Sequence, residues 1–234
     1  MEIVAIDQLK FKYPNSDRGQ LAIESFRALK GERIFLFGPS GAGKTTFLEI
    51  LAGVLPADSG CVKIAGTDWN QLSTAARDSY RSDEIGYIFQ SFNLIPYLSV
   101  LENISLPLHL SKKRRSNVPK EKEIQTIEAL AQRLGILDLL QHKTNELSIG
   151  QQQRVAAVRA LVGHPQLILA DEPTSALDYD HREKFLKLLF DVCQEQSICL
   201  IFVSHDRTLQ GLFDRVVSLT ELNKAELKKI ETTI

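Results

Sequence analysis

Four stretches of this 234-residue chain carry side chains suited to chemistry on phosphates. Gly38–Thr45 reads GPSGAGKT, after the apolar run Ile34–Phe37 and before a helical pattern. This is a GxxxxGK(S/T) pattern in its required strand-to-helix setting. Its glycines let the backbone wrap a phosphate with successive N–H groups pointing inward. The helix N-terminus adds its dipole. Lys44 supplies a point charge for the outer phosphates, and Thr45 a hydroxyl for Mg²⁺. Leu167–Glu172 reads LILADE, an apolar strand ending on two carboxylates. Asp171 is placed to hold Mg²⁺, directly or through water, and Glu172 to polarise an attacking water as general base. Gln90 follows Ile85–Phe89, and His205 follows Ile198–Ser204. Gln90 is placed to sense the metal or the water, and His205 to donate to phosphate oxygens.

These residues need elements that bring them to one edge. Short apolar runs at Ile34–Phe37, Ile85–Phe89, Leu167–Ala170, Ile198–Val203 and Val216–Leu219 read as strands. Helical patterns lie between them at Lys44–Val54, roughly Lys120–Leu134, Gly150–Val162 and roughly His181–Gln194. This alternation predicts an α/β fold with a mostly parallel core sheet, which binds ligands at the C-terminal edge of its strands. Ile3–Tyr13 and Leu21–Leu29 read as two strands of an antiparallel N-terminal sheet, joined by the polar turn Pro14–Gly19. Ser91–Leu147 has little strand signal and much helix, which suggests a helical insertion.

Composition narrows the class. Hydrophobic residues make up 44%, charged residues 24%, and the formal net charge is −1. No global field draws such a chain to nucleic acid or anionic lipid. The longest apolar run, Ile198–Val203, is far too short to span a bilayer. The N-terminal MEIVAIDQLKFKYP has neither a basic n-region nor an apolar h-region, so no signal peptide is expected. Cys61, Cys193 and Cys199 form no CxxC pair and read as reduced, partly buried thiols of a cytosolic protein. The basic run Lys112–Arg115 reads as a solvated loop beside a helix, because acids follow at Glu121 and Glu123 and no aromatic is interleaved.

Together these motifs resemble the ATP-binding subunit of ABC transporters, over essentially the whole chain and in the family's order. Gly38–Thr45 matches Walker A and Gln90 the Q-loop. Leu147–Gln151 (LSIGQ) matches the signature loop, and Leu167–Asp171 with Glu172 matches Walker B and its glutamate. Ser175–Asp178 (SALD) matches the D-loop, His205 in VSHD the switch histidine, and Tyr13 in FKYP an aromatic that stacks on adenine. The resemblance implies a P-loop NTPase cassette occupying 1–234, with a helical subdomain at about 91–160. It implies ATP and Mg²⁺ as ligands. Tyr13, Gly38, Pro39, Ser40, Gly41, Ala42, Gly43, Lys44, Thr45 and Thr46 would bind nucleotide from one subunit. Ser148, Gly150 and Gln151 would bind it from the other subunit of a head-to-tail homodimer. Thr45, Gln90 and Asp171 would serve the metal, and Glu172, His205 and Gln90 the hydrolysis. The backbone start at Ser148–Gly150 suits a second anion site. The family most often has glycine where this chain has Ile149. A β-branched residue is strained at positive φ. Ile149 is therefore expected at negative φ, with its side chain away from nucleotide.

A finer resemblance lies in Phe89–Leu108, which is similar to cassettes of the lipoprotein-release and macrolide-export type. It implies a peripheral subunit on the cytoplasmic face of the inner membrane. A separate integral permease would supply the path, with a possible periplasmic adaptor reached through it. Phe92, Leu94, Ile95, Tyr97 and Leu98 would form the permease groove, or else belong to the helical core. A cell-division-type ATPase or an importer cassette is the alternative. A soluble ABC ATPase of DNA repair or translation would add coiled coils, zinc modules or a second cassette, and this sequence shows no CxxC and no long heptad run.

Overall fold

In the computed structural model, residues 1–14, 20–175 and 179–225 are described, with side chains from 182 onward in the last stretch. Most of the expected turn Pro14–Gly19, and Ala176–Asp178 of the SALD stretch, lie outside the described residues. The chain opens with β1 (Glu2–Phe11), β2 (Leu21–Leu29) and β3 (Arg33–Phe37), followed by α1 (Lys44–Leu51). Next come β4 (Ser59–Ile64), β5 (Thr67–Asp68), α2 (Thr74–Glu84) and β6 (Ile85–Ile88). A helical stretch carries α3 (Val100–Leu110), α4 (Lys112–Asn117), α5 (Glu123–Arg133) and α6 (Ile149–Leu161). It ends with β7 (Leu167–Asp171), α7 (Tyr179–Glu195), β8 (Cys199–Val203), β9 (Arg215–Ser218) and α8 (Leu219–Leu222).

Two sheets result. The core sheet has the order β6-β7-β8-β3-β9, and the pairings along it are parallel. The second sheet is antiparallel with the order β2-β1-β4-β5. Strands β7 and β8 are buried at every residue, as uninterrupted apolar runs covered on both faces must be. Side chains of β3, β7 and β8 alternate between two cores. Phe35, Ile168, Ala170 and Phe202 pack toward the helices, while Ile34, Leu36, Ile201 and Val203 pack toward α1 and the antiparallel sheet. The register sets the site. Ile88 lies abreast of Ala170, Ala170 of Phe202, and Phe202 of Phe35. The residues that follow each strand therefore emerge at one edge.

Several expectations need correction. Strand β4 and helix α2 carried no readable signal. The Ser59–Ile64 strand alternates over only a few residues, and Thr74–Glu84 is polar nearly all round, buried only at Glu84. Helix α1 stops at Leu51 rather than Val54, because Gly53 turns the chain at φ 66°. Helix α6 begins at Ile149, one residue before the expected Gly150. The basic run is no solvated loop. Arg114 is buried and donates to the carbonyls of Ile85, Ala160 and Val162. Lys113 pairs with Glu84 and Arg115 with Glu123, each at 2.5 Å. Of the groove residues, Phe92 is buried in the core and Leu94 packs against it, whereas Tyr97 is 73% exposed. Cys193 and Cys199 are buried and Cys61 partly so, as expected. No helix among the described residues is long and apolar enough to cross a membrane.

Candidate active site

The loop between β3 and α1 turns on Gly41 and Gly43, at φ 82° and 89°. Gly43 is the residue before the helix, so its N–H and those of the first turn face outward at a positive helix end. Lys44 Nζ donates to the carbonyls of Gly38 (2.9 Å) and Pro39 (3.1 Å), which leaves one ammonium donor for a ligand. Thr45 Oγ1 donates to Asp171 Oδ2 at 2.9 Å across 126 residues of sequence. The hydroxyl and the carboxylate converge on one point. Burial pushes the Asp171 carboxyl up, opposed by the Thr45 hydrogen bond. The oxygen-only donor pair suits a hard divalent cation that keeps several waters. No cluster of three or more His, Cys, Asp or Glu that could hold a metal occurs among the described residues. Such a cation would depend on phosphate oxygens and water for its remaining ligands.

Glu172 follows Asp171 in the left-handed region, at φ 45°. A non-glycine residue held there is strained, and strain of this kind persists only where surrounding contacts enforce it. Those contacts are visible. Glu172 N–H donates to Val203 O (3.0 Å), and Ser175 N–H donates to Glu172 O (3.2 Å). The turned carboxylate meets His205, whose Nδ1 lies 2.9 Å from Oε2, and Lys44, whose Nζ lies 3.9 Å from Oε1.

Lys44, Thr45, Asp171 and Glu172 line an open cavity of about 520 Å³, together with Tyr13, Ser40, Gly41, Gly43, Thr46 and the exposed Gln90. Tyr13 forms part of the wall, its hydroxyl near Thr46 Oγ1 (3.3 Å) and Glu49 Oε2 (3.4 Å). Gly38, Pro39 and Ala42 do not line it. The first two turn carbonyls to Lys44, and Ala42 is buried in the core. His205 reaches the site only through Glu172.

Ser148, Gly150 and Gln151 do not line this cavity either. They form the other helix start. Ser148 caps α6, and its Oγ accepts from Gln151 N–H while Gln151 Oε1 accepts from Ser148 N–H. This is a Ser-x-x-Gln capping box, a signal present in the sequence that fixes the helix one residue earlier. Ile149 occupies the first helical position, has no positive φ, and is 53% exposed. Glycine is not required there.

Some supporting residues had no readable signal. Arg182 on α7 pairs with Asp206 at 2.6 Å, and Asp206 caps the turn after His205 through Thr208. Those contacts hold the Asp206 carboxyl below the ordinary range, the Thr208 hydrogen bond most of all. Arg207 lies 4.3 Å over the ring of Phe37, which ties the His205 turn to the end of β3. A second, apolar groove of about 270 Å³ lies apart, lined by Tyr87, Phe89, Leu106, Pro107 and Leu110.

Comparison with known proteins agrees with this geometry. The family model described as ABC transporter matches residues 22–175. The lipoprotein-releasing system ATP-binding protein LolD of Porphyromonas gingivalis is 38% identical over 192 residues, 82% of this chain and 85% of that one. Longer ABC transporter ATP-binding proteins of Mycobacterium tuberculosis also match, and the chain spans 56% of their length. Among solved structures, the dimeric post-hydrolysis state of the ATP-binding cassette MJ0796 bound to ADP and Pi superposes with a TM-score of 0.80, at 32% identity and covering 95% of each chain. The CbiO1 protein of Clostridium perfringens, part of an ABC transporter complex, has a TM-score of 0.81 at 27% identity, over 93% of this chain and 84% of that one. The chain is an ATP-hydrolysing cassette of the ABC transporter family.

Proposed function

We propose that the chain is a peripheral motor subunit that binds MgATP in the β3–α1 cavity and hydrolyses it between two copies of itself. The carrying observation is the separation of two anion-binding helix starts. The Gly43–Thr45 start shares a cavity with Asp171 and Glu172, whereas the Ser148–Gly150 start does not. On this reading a γ-phosphate held by the first start meets the second from another copy, with ATP at the interface. The dimeric, ADP- and Pi-bound relative supports this arrangement.

Each side chain then has a role. The β3–α1 loop N–H groups and Lys44 hold the β- and γ-phosphates. Tyr13 stacks on adenine. Thr45 and Asp171 would hold Mg²⁺, with Gln90 at its edge, and the ion would neutralise phosphate charge. Water attacks the γ-phosphorus as Glu172 takes its proton, the bond from phosphorus to the β–γ bridging oxygen breaks, and ADP leaves. The raised φ of Glu172 aims the carboxylate into the cavity, where His205 steadies it. The second nitrogen of His205 is available to a phosphate oxygen.

LolD is named for lipoprotein release, and this likeness together with Phe89–Leu108 supports export or lipoprotein extraction as the work done. The partner is an integral permease at the cytoplasmic face of the membrane, not nucleic acid, and its cytoplasmic segment would seat on the groove at Phe89, Leu106 and Leu110. Affinity purification from detergent-solubilised membranes tests this. The expected partner is a four-span protein with a large periplasmic domain. A ten-span permease with a solute-binding protein would assign an importer instead. Recovery with DNA or ribosomes alone would contradict the reading.

A further inference from the structure

Helix α6 carries Ser148–Gly150 at its start. Near its far end, Arg159 turns into the loop that follows Gln90. Arg159 Nη1 donates to Asn93 O at 2.7 Å, and Nη2 donates to Phe92 O at 2.5 Å. Both of those residues lie in the left-handed region, Phe92 at φ 60° and Asn93 at φ 45°. Asparagine tolerates that conformation, but phenylalanine does so only under constraint. The turn is closed by Phe92 N–H to Phe89 O (3.0 Å) and Asn93 N–H to Ser91 O (2.7 Å), and the Phe92 ring is sunk in the core.

No carboxylate pairs with Arg159 among the described residues, and burial lowers its pKa. The charge is satisfied by two carbonyl dipoles. A half-buried guanidinium without an acid carries a desolvation cost that a neutral donor would avoid. What it gains is a rigid fork with two parallel donors. The rest of the loop is tied in the same manner to α3. Asn103 bonds Ile95 through both its oxygen and its nitrogen, and its nitrogen also reaches Ser99 O. From Phe92 to Ser99 the loop is fastened to α6 and α3, while Gln90, two residues earlier, lines the nucleotide cavity.

We propose that Arg159 is a positioning residue for Gln90: its fork on the Phe92 and Asn93 carbonyls makes the Gln90 loop and the Ser148–Gly150 helix start move as one body. The metal edge of a subunit's own ATP is thereby linked to the helix start that meets the partner's ATP. The inference rests on the proposed nucleotide roles of Gln90 and Ser148–Gly150.

A double-mutant cycle on the full chain tests it, reading kcat and KM for ATP hydrolysis together with Tm. Arg159→Lys keeps the charge but loses the fork. It is expected to lower kcat about 5- to 20-fold with KM within about twofold. Gln90→Ala is expected to lower kcat at least as much. The double variant is expected to match Gln90→Ala alone, because Arg159 acts through Gln90. If the two losses multiply, Arg159 acts elsewhere and the proposal is overturned. A large fall in Tm with kcat per folded molecule unchanged would assign Arg159 to stability alone and also overturn it. If Gln90→Ala leaves kcat untouched, the reading of Gln90 itself fails, and this inference falls with it.

Discussion

His205 Nδ1 lies 2.9 Å from Glu172 Oε2, although the two residues follow different strands of the core sheet. The contact exists because β7 and β8 are in register, with Asp171 abreast of Val203. It needs the positive φ of Glu172 to turn the carboxylate across. On the proposed roles, the ring would orient the base, and its other nitrogen would serve a phosphate oxygen. His205→Ala is expected to lower kcat by about 100-fold or more while ATP affinity, measured by fluorescent-nucleotide titration, changes little.

Thr45 and Asp171 share a hydrogen bond that a bound cation would replace. Asp171→Asn is expected to weaken Mg²⁺-dependent ATP binding by roughly tenfold or more. The pH dependence follows from burial, which raises the Asp171 pKa. A proton must leave this carboxyl before the cation binds, so affinity is constant above the raised pKa and falls as pH drops through it. The fall is expected at a higher pH than an ordinary carboxylate would give. Isothermal titration of Mg²⁺ into the chain saturated with a non-hydrolysable ATP analogue, across pH, checks this, and Asp171→Asn is expected to remove the dependence.

Ile149 stands at the first helical position with its side chain exposed. Ile149→Gly is therefore expected to leave ATPase activity within a few-fold. Gly150→Asp, one residue on, would place a carboxylate against the γ-phosphate of the proposed partner copy and is expected to abolish turnover. Steady-state ATPase assays on both variants make the comparison.

How much of this was legible varied with the kind of residue. β7 and β8 could be read because every position is apolar and every position is buried. The phosphate loop could be read because its glycines, lysine and threonine each have one local job. Gln151 carried a readable capping signal that fixes the start of α6 at Ile149. Phe92 could not be assigned between groove and core, since an aromatic after a strand suits both, and only the left-handed turn sends its ring inward. Arg114 was illegible for a stronger reason. An arginine in a basic run reads as solvated, and its burial depends on three carbonyls brought together from β6 and the end of α6. The Arg182–Asp206 pair likewise exists only in the folded chain.

That buried arginine has a measurable consequence. Arg114→Ala would orphan the carbonyls of Ile85, Ala160 and Val162 and leave a void beside Gly163, against which Arg114 Cγ packs closely enough to lie 3.0 Å from an added Cβ. The expected loss is about 3 kcal/mol, seen by calorimetry as a fall in Tm of roughly 6–12 °C.

The central claim is that Glu172 is the base and that ATP joins two copies until it is cleaved. The direct measurement is gel filtration of Glu172→Gln with and without MgATP, alongside its ATPase rate. Expected are a monomer without nucleotide, a stable dimer with MgATP, and turnover lowered about 100-fold or more. A Glu172→Gln chain that hydrolyses ATP like the wild type and stays monomeric in MgATP would contradict it.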